Sequence, residues 1–317
     1  MSTVSVHIVT FNSQRFIERC LKGVFEQTFP VHRVIVIDNA SKDATPGLLA
    51  TQEGKIEVVY NDQNTGFAAA HNQALRISQE DYFLVLNPDV YLDRDYLQHV
   101  IDFMDKHENT GSATGLLFRP GEQGGIDSAG IGMTKSRRAF DRTSLRAGNS
   151  QFEPEEVLGV SGAAAVYRRR LSQDVSVQGQ FFDESFFAYK EDVDLAWRSR
   201  LAGWRAYCVP RAKAEHARGW KNGERGQQSR YVRQLSYVNR YRMMLKNDHG
   251  PYLGRHALHL ISYELASLVY ILAREPFLLK TWPKLLADIR DLLAQRQTVL
   301  SMRKVPWEDV YYFFGSH

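Results

Sequence analysis

At 317 residues and 44% hydrophobic content, the chain holds enough apolar material for a substantial core, which excludes a disordered protein. Cys20 and Cys208 stand far apart and outside any CxxC pattern, which excludes a disulfide framework or a cysteine zinc site and fits a reducing compartment. The formal charge of +4 is uneven: residues 230–317 hold thirteen Lys/Arg against seven Asp/Glu, leaving that segment at +6 and the remainder at −2.

The first apolar run, Val4 to Phe11, is short, interrupted by His7, and lacks a basic n-region and a cleavage site, so no secretory signal is expected and a cytoplasmic location is. Val4–Thr10 opens an alternation of strand-like and helix-like patterns: Arg15–Gln27, Arg33–Asp38, Ala44–Glu53, Ile56–Asn61, Phe67–Ser78, Tyr82–Leu86 and Tyr96–His107. Val- and Ile-rich runs separated by crossovers of this length predict right-handed βαβ units and a mostly parallel, Rossmann-like sheet with flanking helices. Ligands in such sheets sit beyond the carboxyl ends of the strands. Polar clusters fall at those ends: Thr10-Phe11-Asn12, Asp38-Asn39-Ala40-Ser41, Asn61 to Gly66, and Asn87-Pro88-Asp89. Any one of them also reads as an ordinary helix cap.

Residues 119–157 are Gly-rich, charged and weakly periodic, predicting a long loop region over the crevice with room for a hairpin. A strand-like Val157–Tyr167 follows, then an aromatic loop ending in Phe186-Phe187, then a helix from Glu191 to Ala202 that Gly203 is placed to end. Ala206–Pro210 reads as a strand leading to a polar loop, Glu215-His216-Ala217-Arg218-Gly219-Trp220. Beyond Arg230 the pattern is helical, interrupted at Pro251, Pro276 and Pro283, and this places a domain change near 225–230, dividing the chain into 1–228 and a basic helical region, 229–317. Ala257–Ala273 contains His259 and Glu264 and falls short of a span of about 20 residues. The basic C-terminal region suits a phospholipid surface or a lipid diphosphate, and an ordinary helical cap or a homodimer interface explains the same pattern. No nucleic-acid-binding motif accompanies the charge.

Chemistry concentrates at a few positions. Asp89, delivered by an apolar strand, suits a divalent cation, because Mg²⁺ often binds through one or two carboxylates and substrate phosphates; Asn-Pro-Asp is equally a turn sequence. Glu191, Asp192 and Asp194 open a helix, where the dipole favours acids in any case. Burial and mutual repulsion there would raise one carboxyl toward a general base's working range. His216 in a polar loop is a candidate second ligand. Asn64 to Asn72 couples a glycine entry to a helix with small first-turn side chains, open to phosphate or sugar oxygens. No GxGxxG follows the first strand and no Walker-A motif is present, which counts against dinucleotide and P-loop readings.

Taken together, Val-Thr-Phe-Asn at 9–12, Asp-Asn-Ala-Ser-Lys-Asp at 38–43, Asn-Thr-Gly-Phe-Ala-Ala-Ala-His-Asn at 64–72, Asn-Pro-Asp at 87–89, Ser-Gly-Ala at 161–163 and the block from Phe182 to Arg198 resemble family 2 glycosyltransferases of the GT-A fold. The likeness covers about residues 4–220 and is strongest to bacterial rhamnosyltransferases that use dTDP-rhamnose. The resemblance implies an inverting transfer from a nucleotide-sugar donor to a glycan or polyprenyl-linked acceptor. It also implies that Thr10, Asn12 and Asp38 hold the nucleoside, that Asn64, Gly66, Asn72 and Asn87 line the donor pocket, and that Asp89 ligates Mg²⁺ or Mn²⁺ with His216 as a looser match. Asp192 is implied as the base, with Glu191 orienting the acceptor or sharing that role. Where the family usually has DxD, this chain has Asn87-Pro88-Asp89, so the first carboxylate is missing. Two other readings stand beside this one: a family 2 transferase with a UDP-hexose or UDP-N-acetylhexosamine donor, and a non-catalytic nucleotide-sugar-binding protein.

Overall fold

The Val- and Ile-rich runs become strands in the computed structural model, which describes residues 2–121, 125–145, 153–217, 226 and 228–315. In chain order the first half comprises β1 (Val4–Thr10), α1 (Ile17–Phe25), β2 (Arg33–Asp38), α2 (Thr45–Ala50), β3 (Glu57–Tyr60), α3 (Gly66–Ile77), β4 (Tyr82–Leu86), β5 (Val90–Leu92) and α4 (Tyr96–Lys106). There follow β6 (Thr110–Phe118), β7 (Ile126–Ser128), β8 (Ile131–Met133), β9 (Ala139–Asp141), β10 (Glu155–Val157), β11 (Ala164–Arg168), α5 (Arg169–Val175), α6 (Glu191–Leu201) and β12 (Arg205–His216). The C-terminal helices are α7 (Arg230–Asn247), α8 (Gly250–Arg255), α9 (Ala257–Arg274), α10 (Trp282–Ala287), α11 (Ile289–Ser301) and α12 (Trp307–Tyr311).

The main sheet runs β10-β12-β6-β11-β4-β1-β2-β3, with β5 on β12 and β7 on β6. Its β4-β1-β2-β3 half is parallel, as the crossovers predict, while β11 enters antiparallel between β4 and β6. Helices cover both faces. One core packs β1 and β4 against α1 and α4, and the other packs Phe83, Val85 and Ala165 against Ala68, Leu171 and Leu195. Burial on both faces explains why these strands read as continuous apolar runs.

Three stretches differ from expectation. Thr110–Phe118, Thr-Gly-Ser-Ala-Thr-Gly-Leu-Leu-Phe, is a nearly fully buried central strand without an apolar signature. A Cβ on its Gly115 would lie 2.3 Å from the Ala212 carbonyl oxygen, so close packing with β12 selects small residues there. Val157–Tyr167 is broken: Val157 ends β10, and Ser161-Gly162-Ala163 turns away before β11. The strand expected to stop at Pro210 continues to His216, so His216 lies on a strand and not in a loop. Proline is tolerated because the β12–β6 register shifts between Cys208 and Lys213, where no ladder donor is needed. Arg218, Gly219 and Trp220 lie outside the described residues.

The C-terminal helices share a core with the sheet domain: Met243, Tyr252, Val299 and Val310 pack with Ile131, Phe186, Val193 and Trp197. Pro251 and Pro283 sit in helical first turns and Pro276 opens a short 3₁₀ segment, as the breaks predicted. Gly203 ends α6 at φ 84°, with its N–H bonded to Arg200 and that of Trp204 to Ser199, a Schellman closure. α9 is apolar on its outer side, with Leu258, Ile261, Leu265, Leu268 and Leu272 exposed. By length and composition alone, its eighteen residues are enough to cross a membrane.

A buried ionic cluster joins α7 to the sheet domain. Lys246 Nζ donates to Asp183 Oδ2 at 2.5 Å and lies 3.1 Å from Asp194 Oδ1, while Arg198 and Asn247 also donate to Asp194. Burial opposes ionisation of Asp194, but the charges of Lys246 and Arg198 outweigh it and hold its pKa below the ordinary carboxylate range. Removing one partner strands the others in a dry core, so Lys246→Ala is expected to lose about 3–5 kcal/mol of unfolding free energy, read by urea denaturation. A loss below 1 kcal/mol would show the cluster to be dispensable.

Candidate active site

The carboxyl ends of β1 and β2 are joined through Asp38. Its Oδ1 accepts from Thr10 Oγ1 at 2.8 Å and Ser41 Oγ at 2.6 Å, and its Oδ2 accepts from the Ser41 N–H at 3.0 Å. Asn12 closes the same turn at φ 53°, donating its N–H to Ser41 Oγ and accepting from the Lys42 N–H. Asn64 Oδ1 accepts the Gly66 N–H, and Gly66 enters α3 at φ 85°, where a Cβ would stand 2.5 Å from the Phe187 carbonyl oxygen. Only glycine fits that approach. Asn72 is buried and binds the aromatic loop, donating to the Phe182 carbonyl and Glu184 Oε1 and accepting the Phe182 N–H. Its side chain orders the wall of the site through that loop.

Beyond these ends lies a cleft of about 720 Å³. Asn87 and Asp89 from the β4–β5 turn, Ser161 to Ala163, Tyr189 to Val193, the β8–β9 hairpin and His216 line it. The β5–β12 ladder sets Val90 opposite His216, and the Ala217 N–H donates to the Asp89 carbonyl, so the backbone holds Asp89 and His216 side by side. His216 Nε2 is 3.6 Å from Asp89 Oδ1, and His216 Nδ1 is 2.9 Å from Asp127 Oδ2. Asp127 is buried, and a carboxylate on Nδ1 fixes the ring's orientation and leaves Nε2 to face Asp89. Among the described residues no group of three His, Cys, Asp or Glu side chains is arranged to hold a metal. The pair nevertheless suits a hard divalent cation of the Mg²⁺ or Mn²⁺ kind that takes its remaining ligands from substrate oxygens and water, whereas a closed zinc site needs four protein ligands.

The three acids that open α6 have separate fates. Asp194 belongs to the buried ionic cluster. Asp192 lines the cleft, its Oδ2 accepting the Gly162 N–H at 3.2 Å and its Oδ1 the Val193 N–H at 2.8 Å. Glu191 is buried beside it, with Oε2 lacking a hydrogen-bond partner. Burial raises both carboxyls above their usual range; for Glu191 the Asp192 charge adds to this, and for Asp192 the Lys190 charge and the Gly162 N–H oppose it.

The turn that delivers this pair is strained. Phe187, Tyr189 and Lys190 all have left-handed backbones, at φ 62°, 70° and 77°. Such residues cost roughly 1–3 kcal/mol each and persist only when their surroundings over-determine them. Asn239 of α7 supplies that restraint: its fully buried Nδ2 donates to the carbonyls of Phe186 (2.9 Å), Ala188 (3.0 Å) and Tyr189 (2.8 Å). Arg242 Nη1 holds Asn239 Oδ1 and the Ser185 carbonyl.

The structure therefore brings Asn87, Asp89, Glu191, Asp192 and His216 together in one cleft, while Thr10, Asn12, Asp38, Asn64, Gly66 and Asn72 build the adjoining strand ends. Sequence reasoning missed Asp127, which sits in a short Ile-Asp-Ser strand without a motif, and Asn239. The polar positions 239, 242, 246 and 247, spaced along one helical face, are the signal that marks α7 as packed through polar contacts.

Comparison with known proteins follows the same lines. Residues 5–176 match the family model described as Glycosyl transferase family 2. A 115-residue stretch is 33% identical to TuaG of Bacillus subtilis (strain 168), named for teichuronic acid biosynthesis; it covers 35% of this chain and 46% of that protein, so the chain spans about half of that relative's length. Over 241 residues, 68% of this chain and 76% of the relative, it is 26% identical to the N-acetylglucosaminyl-diphospho-decaprenol L-rhamnosyltransferase of Mycobacterium tuberculosis (strain ATCC 25618 / H37Rv). The structure of GalNAc-T7 with UDP, GalNAc and Mn²⁺ superposes with a TM-score of 0.67 at 14% identity, covering 99% of this chain and 58% of that one. For Staphylococcus aureus TarS 1–349 with UDP the values are 0.59, 15%, 94% and 83%. For the Pyrobaculum calidifontis mannosyltransferase PcManGT with GDP-Man and Mn²⁺ they are 0.57, 19%, 95% and 86%. These structural likenesses establish a shared GT-A fold.

Three hydrogen bonds from one amide carry the strained turn, and this has a direct consequence. Asn239→Ala is expected to speed hydrogen exchange at the amides of residues 186–192 while β1 to β4 keep their protection, with roughly 1–3 kcal/mol of stability lost. Unchanged exchange there would show that the turn holds itself.

Proposed function

The chain belongs to glycosyl transferase family 2, and from that premise we propose that it is an inverting transferase moving L-rhamnose from dTDP-rhamnose to a hydroxyl of a glycan or lipid-linked glycan, in cell-surface polysaccharide biosynthesis. The observation that carries the reading is the placement of Asp192 in the same cleft as the Asp89–His216 pair. Asp192 takes the proton from the acceptor hydroxyl as that oxygen attacks the anomeric carbon on the face opposite the leaving nucleotide. The Gly162 and Val193 N–H groups hold its two oxygens, so the carboxylate is positioned before the substrate arrives. Burial raises its proton affinity, which strengthens it as a base. Glu191, with its orphaned Oε2, orients the acceptor or takes up a share of the charge.

Asp89 and His216 would hold Mg²⁺ or Mn²⁺ against the donor diphosphate, with Asp127 fixing the imidazole; the cation supplies charge stabilisation to the departing diphosphate. Thr10, Asn12 and Asp38 form the nucleoside end of the donor site, and Asn64, Gly66, Asn72 and Asn87 shape its sugar end. The rhamnose assignment draws on the mycobacterial relative's name, and a UDP-linked hexose or N-acetylhexosamine is the second reading, supported by the UDP-bound neighbours. A non-catalytic sugar-nucleotide binder has no use for a carboxylate held as Asp192 is.

The reading extends to location and architecture. Residues 1–228 form the transferase domain, and 229–317 a basic region whose exposed α9 face supports a peripheral seat on the inner face of the cytoplasmic membrane; a homodimer is the competing occupant of that face.

Asp192→Asn is expected to lower kcat by at least 10³-fold while the donor Kd stays within about twofold, the pattern of a lost general base. In the parent enzyme the acid limb of kcat/KM should lie above the ordinary carboxylate range near pH 4, because activity is lost as pH falls through the raised carboxyl pKa. Full activity in the variant would remove Asp192 from the mechanism. In calorimetry, dTDP-rhamnose should bind in preference to UDP-sugars and GDP-mannose, and only with Mg²⁺ or Mn²⁺; His216→Ala should weaken that binding about 10–100-fold. Preference for a UDP-sugar would replace the donor and keep the mechanism.

A further inference from the structure

One aromatic ring in the cleft has no part in the proposed mechanism. Phe67, the second residue of α3, is half-buried and lines the cleft. Its ring is packed from behind: the His71 ring centroid lies 4.2 Å away, and Phe182 makes a T-shaped contact with centroids 5.6 Å apart. Both neighbours are fully buried, and Asn72 bonds the Phe182 backbone at its N–H and its carbonyl, which fixes the support behind the ring. His71 has no hydrogen-bond partner at either ring nitrogen, and burial holds its pKa down at about 3. The imidazole behind Phe67 is therefore neutral and acts through its shape.

On its other side the ring meets the loop that holds the base. A Cβ built on Gly162 would stand 3.0 Å from Phe67 Cζ and 3.8 Å from Asp192 Cβ, so the tip of the ring lies against Gly162 beside the carboxylate. Gly162 is the residue whose N–H donates to Asp192 Oδ2. The same loop is confined at two further points: the Asn87 N–H donates to the Ala163 carbonyl at 2.8 Å, and a Cβ on Gly159 would stand 2.2 Å from Ala196 Cβ of α6. The backbone that carries Phe67 is fixed as well. Asn64 accepts the Gly66 N–H, Asn39 donates to the Gly66 carbonyl, and the Ala68 N–H donates to the Phe187 carbonyl. The side chain thus runs from backbone held at the strand ends to the glycine that aims the carboxylate.

We propose that Phe67 is a positioning residue for the reaction: its ring sets the place of Gly162, and hence the aim of Asp192, and ties the base to the donor end of the same cleft. This rests on the transferase reading given above. A misplacement of about 1 Å costs on the order of 100-fold in rate. Loss of the ring also brings water nearer to Asp192, whose charged neighbours are Glu191, Asp141 and Lys190.

The test follows nucleotide diphosphate release by the full chain from dTDP-rhamnose and from UDP-sugars, with Mn²⁺ and with water as acceptor. Phe67→Ala is expected to lower turnover about tenfold or more while the donor Kd stays within about twofold. The acid limb of its kcat/KM should move down toward the ordinary carboxylate range near pH 4, and hydrogen exchange at the Gly162 amide should quicken. Phe67→Leu, which keeps an apolar branch there, should fall between. Gly162→Ala is expected to cost about fivefold in the parent but less than about twofold when added to Phe67→Ala, because the missing ring leaves room for the methyl. Additive effects of the two substitutions would overturn the proposal, as would an unchanged pH profile with unchanged Gly162 exchange in Phe67→Ala. Donor binding lost in step with turnover would also overturn it, since that marks a merely structural residue. Should the parent release no nucleotide from any donor, the transferase reading falls and the Gly162 amide alone decides: faster exchange in Phe67→Ala keeps the positioning role, and unchanged exchange removes it.

Discussion

The polar face of α7 is the constraint on which the site depends. Asn239 holds the left-handed turn at 186–190, Arg242 holds Asn239, and Lys246 and Asn247 hold Asp194 at the start of α6. These contacts bind opposite sides of one short segment, so the turn and the helix cannot move independently. Glu191 and Asp192 lie between the two anchors. A turn with three left-handed residues stores roughly several kcal/mol of strain if each costs about 1–3. Left alone it would relax and carry both carboxylates with it. The C-terminal helices are thus part of the device that positions the acids, although none of the proposed base or metal ligands lies on them.

Asp194 shows why three neighbouring acids do not behave alike. Glu191 and Asp194 are buried and Asp192 is half-buried, and loss of water pushes each toward its neutral form. At Asp194 the cations of α6 and α7 reverse that push, and the carboxylate becomes the anchor of the cluster. At Asp192 the opposing groups are a single lysine and two backbone N–H groups, and the net direction is upward. The difference is set by which face of the helix each residue occupies: Asp194 points toward α7, and Asp192 toward the cleft. Acid clustering at a helix start therefore says little about chemistry until the partners are known.

How far the sequence could be read follows from the same distinction between local and tertiary causes. β1 to β4, their helices and the strand-end clusters were legible because apolar runs and crossover spacing are local properties. The Schellman end at Gly203 and the helix breaks at Pro251, Pro276 and Pro283 were legible for the same reason. Thr110–Phe118 was not, since its strand state comes from close packing against β12, which small residues permit but do not announce. His216 was placed in a loop because Pro210 reads as a stop; the register shift that accommodates the proline exists only in the folded sheet. Asp127 and Asn239 act through partners 89 and about 50 residues away in sequence. Nothing near them in the chain foretells those contacts.

Electrostatics ties these pieces into a single division of labour. A cleft lined by Asp89, Asp141, Glu191 and Asp192 would repel a diphosphate if it presented acids alone. On the donor side a divalent cation, which Asp89 and His216 would hold, would supply the charge that offsets this repulsion. Asp192 lines the same cleft. Its raised proton affinity persists because the Lys190 charge and the Gly162 and Val193 N–H groups only partly offset the effect of burial.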